Sequence, residues 1–145
     1  RDSSTSRGLG DVYKRQGIPI VMCGLDVTEQ AWFSPEEFAA LPDTPVGRFA
    51  RAATAGPMQK NMARGAGGLC LHDVCPVLYL THPELFTGRQ AGVHVETRGT
   101  VTYAKTVTDL DSDAKFPERN VFVVLGVDRA GFAAHITEAL SSYAG

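Results

Sequence analysis

Long hydrophobic runs are missing from this 145-residue sequence, so nothing in it offers the roughly 20 consecutive apolar residues of a bilayer-spanning helix. An excess of basic charge is missing too. With 14 Lys+Arg against 16 Asp+Glu, the chain lacks the electrostatic footprint of a nucleic-acid binder. Cysteine is scarce: three residues, an odd number without paired spacing, argue against a secreted disulfide scaffold and for reduced thiols in a cytoplasmic setting. Neither an internal repeat nor a low-complexity tract interrupts the body of the chain. What is present is 43% apolar residues at a formal net charge of −2, enough to exclude overall disorder and to fill the core of one domain.

The opening stretch RDSSTSRGLGDVYKRQ differs from the rest. Arg1, Arg7, Lys14 and Arg15 stand among Ser, Thr and Gly, and only Leu9, Val12 and Tyr13 are sizeable apolar residues, so no apolar face can form. The string resembles adaptor-derived translations found at the ends of unrelated reading frames. Residues 1–16 are therefore expected to be a non-native leader, and residues 17–145 the domain.

Ile18 to Cys23, closed by Gly24, reads as a buried strand of a parallel sheet that needs neighbours on both sides, and a missing upstream segment is expected. Ser34-Pro35-Glu36-Glu37 supplies an N-cap, a first-turn proline and a capping-box glutamate, giving a short helix from about Pro35 to Leu41. Val46, Phe49, Ala50 and Ala53 form the stripe of an amphipathic helix. Leu69 to Leu80 is apolar apart from His72 and Asp73, which predicts a buried helix starting near Asp73 with Pro76 in its first turn. Val93 and Val95, then Val101 and Tyr103 across Gly99, suggest an antiparallel pair. Val121 to Leu125 is β-rich and reads as a central strand. Phe132, Ile136 and Leu140 give a closing helix with its apolar side on the sheet. The order indicates an α/β layered domain with part of its sheet unaccounted for.

Four groups of residues invite a chemical reading. Asp109-Leu110-Asp111-Ser112-Asp113 begins like a calcium loop, but Ala114 stands where a glycine is needed and Asn120 where a bidentate glutamate is needed, so it reads as a solvated hairpin end. Gly65-Ala66-Gly67-Gly68 lacks the following lysine of a phosphate cradle and reads as a flexible loop. Cys70, His72 and Cys75 could hold zinc, although Cys-x-His-x-x-Cys is not a usual knuckle and buried free cysteines are the plainer reading. His72-Asp73 is a titratable pair at a loop-to-helix junction, where burial without partners would cost several kcal/mol. It is either a helix cap with Asp73 accepting amide hydrogen bonds, or a site.

The segments VMCGLDVT (21–28), GLCLHDVCPVLYLTHPELF (68–86), HVETRGTVTYAKTVTDLD (94–111) and NVFVVLGVD (120–128) resemble, in the same order, the C-terminal part of the inosine/uridine-preferring nucleoside hydrolases. The resemblance covers essentially all of residues 17–145. It implies the C-terminal portion of an α/β domain built on an open mixed sheet flanked by helices, with an antiparallel hairpin. It further implies water-driven cleavage of the N-glycosidic bond of ribonucleosides, to ribose and free base, around a held Ca²⁺. His72 would be the proton donor to the leaving base and Asp73 a calcium ligand.

Residue chemistry suits those roles. A hard cation takes oxygen donors, and histidine is the side chain able to give up a proton near neutral pH. The transition state should have the ribosyl oxocarbenium character of glycoside cleavage. The family's N-terminal aspartate cluster and its Glu-Phe-Asn segment have no counterpart here, so the chain alone is expected to be inactive. Met58, Gln59, Lys60, Asn61 and Met62 replace the aromatic residues often found near the base pocket, which leaves base preference open. Asp26 and Thr28 read as structural turn and cap residues. A ribonucleoside partner, a homo-oligomer at full length and a role in nucleoside salvage are implied; no nucleic acid and no membrane are. The rival readings are a non-catalytic α/β assembly module and a zinc-binding hydrolase using Cys70, His72 and Cys75.

Overall fold

The computed structural model describes residues 18–111 and 115–143. The expected leader, residues 1–16, lies outside the described residues, as do positions 112–114 of the acidic run. The architecture is α/β, with an open mixed sheet of strand order β1-β6-β4-β5 and a separate two-stranded β2-β3 pair. The strands are β1 (Val21–Cys23), β2 (Trp32–Phe33), β3 (Leu69–Cys70), β4 (Phe86–Val95), β5 (Thr106–Asp109) and β6 (Val121–Val127). The helices are α1 (Leu25–Thr28), α2 (Pro35–Ala39), α3 (Pro45–Met62), α4 (Val74–Thr81) and α5 (Arg129–Ser141), with a 3₁₀ turn at Pro83–Leu85. Two compact units divide the chain.

The first unit, residues 18–22 and 88–124, carries the body of the four-stranded sheet. Val121, Val123 and Val124 of β6 are buried, as a strand with neighbours on both sides requires, and the amide of Phe122 donates to the Ile20 carbonyl (2.9 Å). β1 ends the strand order and Val21 is exposed, which corrects the expectation of a strand buried on both faces. The antiparallel hairpin is present with a different register. β4 pairs with Thr106–Asp109, Val93 opposite Thr108 and Val95 opposite Thr106, while Val101, 94% exposed, lies in the connection. The cause is Glu96, whose carboxylate accepts the amides of Arg98 and Gly99 (2.7 and 3.0 Å) and builds a wide turn that Ala104 closes at φ 68°. Those amides hold the Glu96 carboxyl below its ordinary range.

In the same unit Asn120 acts as a strand substitute. Its side chain accepts from the Val93 amide (2.9 Å) and donates to the Val93 carbonyl (3.2 Å), so it is committed to β4. The Asp109 carboxylate accepts from the amides of Phe116 and Asp111, which lower its pKa. Arg119 donates to the Asp109 and Asp111 carbonyls. Asp109 and Asp111, the described acidic residues of that run, are thus engaged in hydrogen bonds.

The second unit, residues 23–87 and 125–143, has a core of Phe33, Phe38, Leu41, Met58 and Ala133, with Ala50, Leu69, Leu71, Ile136 and Leu140 against it. Phe33 and Phe38 meet edge to face at 4.6 Å. The capping box of α2 forms as its sequence predicts: Ser34 Oγ accepts from the Glu37 amide and Glu37 from the Ser34 amide. Glu37 also receives Arg129 of α5 at 3.0 Å, and Arg129 lies over the Trp32 ring at 4.3 Å.

Helix α3 forms, with a rotated face. Gly47 and Met58 are its buried residues, and Phe49 is 73% exposed. Gly47 packs so closely on the Pro42 carbonyl that a Cβ there would collide with it, which turns Phe49 outward. Helix α4 starts where expected, but only its Cys75 is buried. Val77 and Leu80 are 62% and 82% exposed, against the expectation of a buried helix. The apolar side of α5 meets the aromatic core at Phe33 and Phe38 through Ile136 and Leu140. Among the described residues no helix is long and apolar enough to cross a membrane.

Candidate active site

The sequence folds so as to present His72 and Asp73 at the start of α4. β2 and β3 pair antiparallel, Trp32 opposite Cys70 and Phe33 opposite Leu69, and the Leu71 amide donates to the Ala31 carbonyl (3.0 Å). Gly68 opens this pairing because a Cβ there would strike the Phe33 carbonyl. The Gly65–Gly68 stretch is therefore a packed turn at its Gly68 end, where Asn61 donates to the Gly68 carbonyl (3.3 Å). The main chain then turns into α4, the amides of Val74 and Cys75 donating to the carbonyls of Leu71 and His72.

His72 is exposed, and its Nδ1 lies 2.8 Å from the hydroxyl of Thr28. Thr28 ends α1 and is only 3% exposed, so one nitrogen of a solvent-facing ring is anchored to a buried hydroxyl. In the sequence Thr28 closes the Leu-Asp-Val-Thr motif and reads as a structural residue; its pairing with His72 spans 44 positions. Asp26 of that motif is exposed, and its carbonyl accepts from Gln30 (2.6 Å).

Asp73 occupies the N-cap position of α4 with helical backbone angles and makes no cap hydrogen bond with its side chain. The capping role is therefore not the one this aspartate plays. Its carboxylate is exposed, and a carboxylate is a hard oxygen donor of the kind calcium takes. Calcium needs six to eight oxygens, and among the described residues no group of three ligands includes Asp73.

The zinc grouping fares differently. Cys70 Sγ approaches the Glu29 carbonyl (3.7 Å) and Cys75 Sγ the Leu71 carbonyl (3.8 Å). Cys70, His72 and Cys75 do not gather their ligand atoms within reach of one ion. Burial, helped by the neighbouring Cys23 and Cys70 thiols, pushes the Cys75 thiol up to about 11, away from the thiolate that zinc requires.

Comparison with known proteins places this arrangement in a class. The fold matches the purine-preferring ribonucleoside hydrolase from Gardnerella vaginalis with a TM-score of 0.77 and 29% identity, over 91% of this chain and 42% of that one. A plant nucleoside hydrolase matches with a TM-score of 0.77 at 21% identity, over 92% and 44%, and shares the fold. The class is thus an α/β chain with the nucleoside-hydrolase fold. The profile of the inosine-uridine preferring nucleoside hydrolases matches residues 11–134, and the chain belongs to that family. Its match begins inside the stretch set apart as a leader. The non-specific ribonucleoside hydrolase RihC of Escherichia coli O1:K1 is 41% identical over 132 residues, 88% of this chain and 41% of the relative. The chain spans about two fifths of the length of the curated relatives it matches.

Proposed function

We propose that this chain is the C-terminal portion of a domain that hydrolyses the N-glycosidic bond of ribonucleosides, releasing ribose and the free base, with His72 as the proton donor. The observation that carries the reading is the contact between His72 Nδ1 and the buried Thr28 hydroxyl at 2.8 Å on an otherwise exposed imidazole. With the Thr28 hydroxyl donating to Nδ1, the ring proton sits on Nε2; in the imidazolium both nitrogens carry protons and Thr28 accepts. The imidazolium is the form that donates: Nε2 hands its proton to the leaving base nitrogen as its bond to C1′ breaks, leaving His72 neutral, while water adds hydroxide to C1′ and its other proton passes to a base outside the described residues and, through solvent, restores the imidazolium. Such an anchor fixes the ring's orientation before the substrate arrives, which is how a proton donor gains its effect.

Asp73 serves in this reading as one oxygen ligand of a calcium ion, whose bound form would polarise a water and hold the ribose hydroxyls. Further ligands would come from outside the described residues. The exposed apolar residues Val77 and Leu80 of α4 support a larger domain, because single exposed apolar residues are ordinary but an apolar helix left open is not. A cytoplasmic, homo-oligomeric enzyme of nucleoside salvage fits the composition and belongs to the same proposal.

The test is hydrolysis of inosine and uridine by two preparations, the 145-residue chain and a whole domain in which it is joined to the segment that its relatives have in addition. Calcium-dependent ribose release by the whole domain and none by the chain is expected. Asp73→Asn in the whole domain should weaken calcium binding, with activity partly recovered by added Ca²⁺. Unchanged calcium affinity in that variant, or turnover by the chain alone, contradicts the reading.

A further inference from the structure

We infer that His82, Glu84 and His135 form a second metal site, suited to zinc or a similar divalent transition metal and separate from His72 and Asp73. The inference does not rest on the hydrolase reading. His82 is the residue at which α4 stops, Glu84 lies in the 3₁₀ turn that follows, and His135 comes from α5. Pro83 at the start of that turn disfavours a helical conformation at the residue before it, so His82 leaves the helix with φ −136° and ψ 62°. One ligand atom from each of the three side chains lies within 4.8 Å of the others, and the two imidazoles stack at 3.9 Å.

Two imidazoles and one carboxylate are a donor set that zinc takes with a fourth position left to water. Calcium prefers oxygen alone, so the set discriminates against it. Ligands at zinc's bond lengths stand about 3.3 Å apart in a tetrahedron, so the three groups would have to close by about 1.5 Å; Glu84 is exposed and both histidines are half-buried. Glu138 Oε2 lies 3.9 Å from His135 Nδ1, outside hydrogen-bond distance. His82 Nδ1 faces Glu84 at 3.1 Å.

The site lies at the far end of α4 from Asp73, an eight-residue helix about 12 Å long, so the two sites cannot share an ion. A metal here would clip the end of α4 to α5. Binding only to the folded chain, it would raise stability in proportion to its free concentration.

Zinc chloride titrated calorimetrically into the 145-residue chain, in buffer containing calcium, should bind at about one ion per chain and raise the melting temperature. His82→Ala and His135→Ala should each weaken zinc affinity by about tenfold or more and remove the rise in melting temperature, while Cys70→Ser changes neither. Because a variant could lose its fold, the wild-type chain is also loaded with Co²⁺, whose absorption should lack thiolate charge-transfer bands. No zinc binding by the wild-type chain, undiminished affinity in both folded histidine variants, or thiolate bands in the Co²⁺ spectrum would overturn the inference.

Discussion

His72 draws attention in the sequence because two titratable residues side by side in an apolar run must find partners or a task. The partner that matters, Thr28, is invisible to spacing because it lies 44 positions away and contact requires the fold. Thr28→Val keeps the shape and removes the hydroxyl, leaving His72 Nδ1 without its anchor. In the whole domain it should lower kcat, move the pH profile of kcat and leave KM for inosine nearly unchanged, whereas Thr28→Ser should restore the wild-type profile. A shift in melting temperature with an unaltered pH profile would mean that Thr28 only packs. Asn120 shows the converse: its place as twelfth residue of an incomplete calcium loop suggests no role, yet its amide substitutes for a strand neighbour of Val93.

Elements were legible where a local rule governs them. Ser34 and Glu37 announce α2 because a capping box is completed within four residues, whereas Arg129 reaches Glu37 from 92 positions away and no local pattern reveals it. The hairpin shows the same division, since alternation marks the strands and the Glu96-centred turn sets the register. Burial raises the Glu37 carboxyl, but the Arg129 guanidinium and the Ser34 amide outweigh it and hold it below its ordinary value of 4.5. A carboxyl depressed by folding contributes stability above its unfolded value and loses it as pH falls through the folded one. Glu37→Gln preserves the capping-box acceptor and removes the charge, so it should destabilise by about 1 kcal/mol at pH 7 and by progressively less as the medium becomes acidic. Urea midpoints of both proteins between pH 3 and 7 check this; a constant difference would assign the loss to packing.

For the molecule as a whole, the α/β class and the family were readable from motifs that survive in order, while the exposure of α4 was not. A run such as Val74 to Leu80 shows that a helix is apolar and says nothing of which residues cover it in a given length of chain. The segments around His72 and Thr28 carry the account of function, and its central claim is that His72 protonates the departing base. That claim is tested most directly by His72→Ala in the whole domain, assayed on inosine and on a nitrophenyl riboside whose leaving group needs no proton. The account predicts a fall in kcat of about 10²- to 10⁴-fold on inosine and a much smaller fall on the nitrophenyl substrate, with calcium still bound. Equal losses on the two substrates would contradict it.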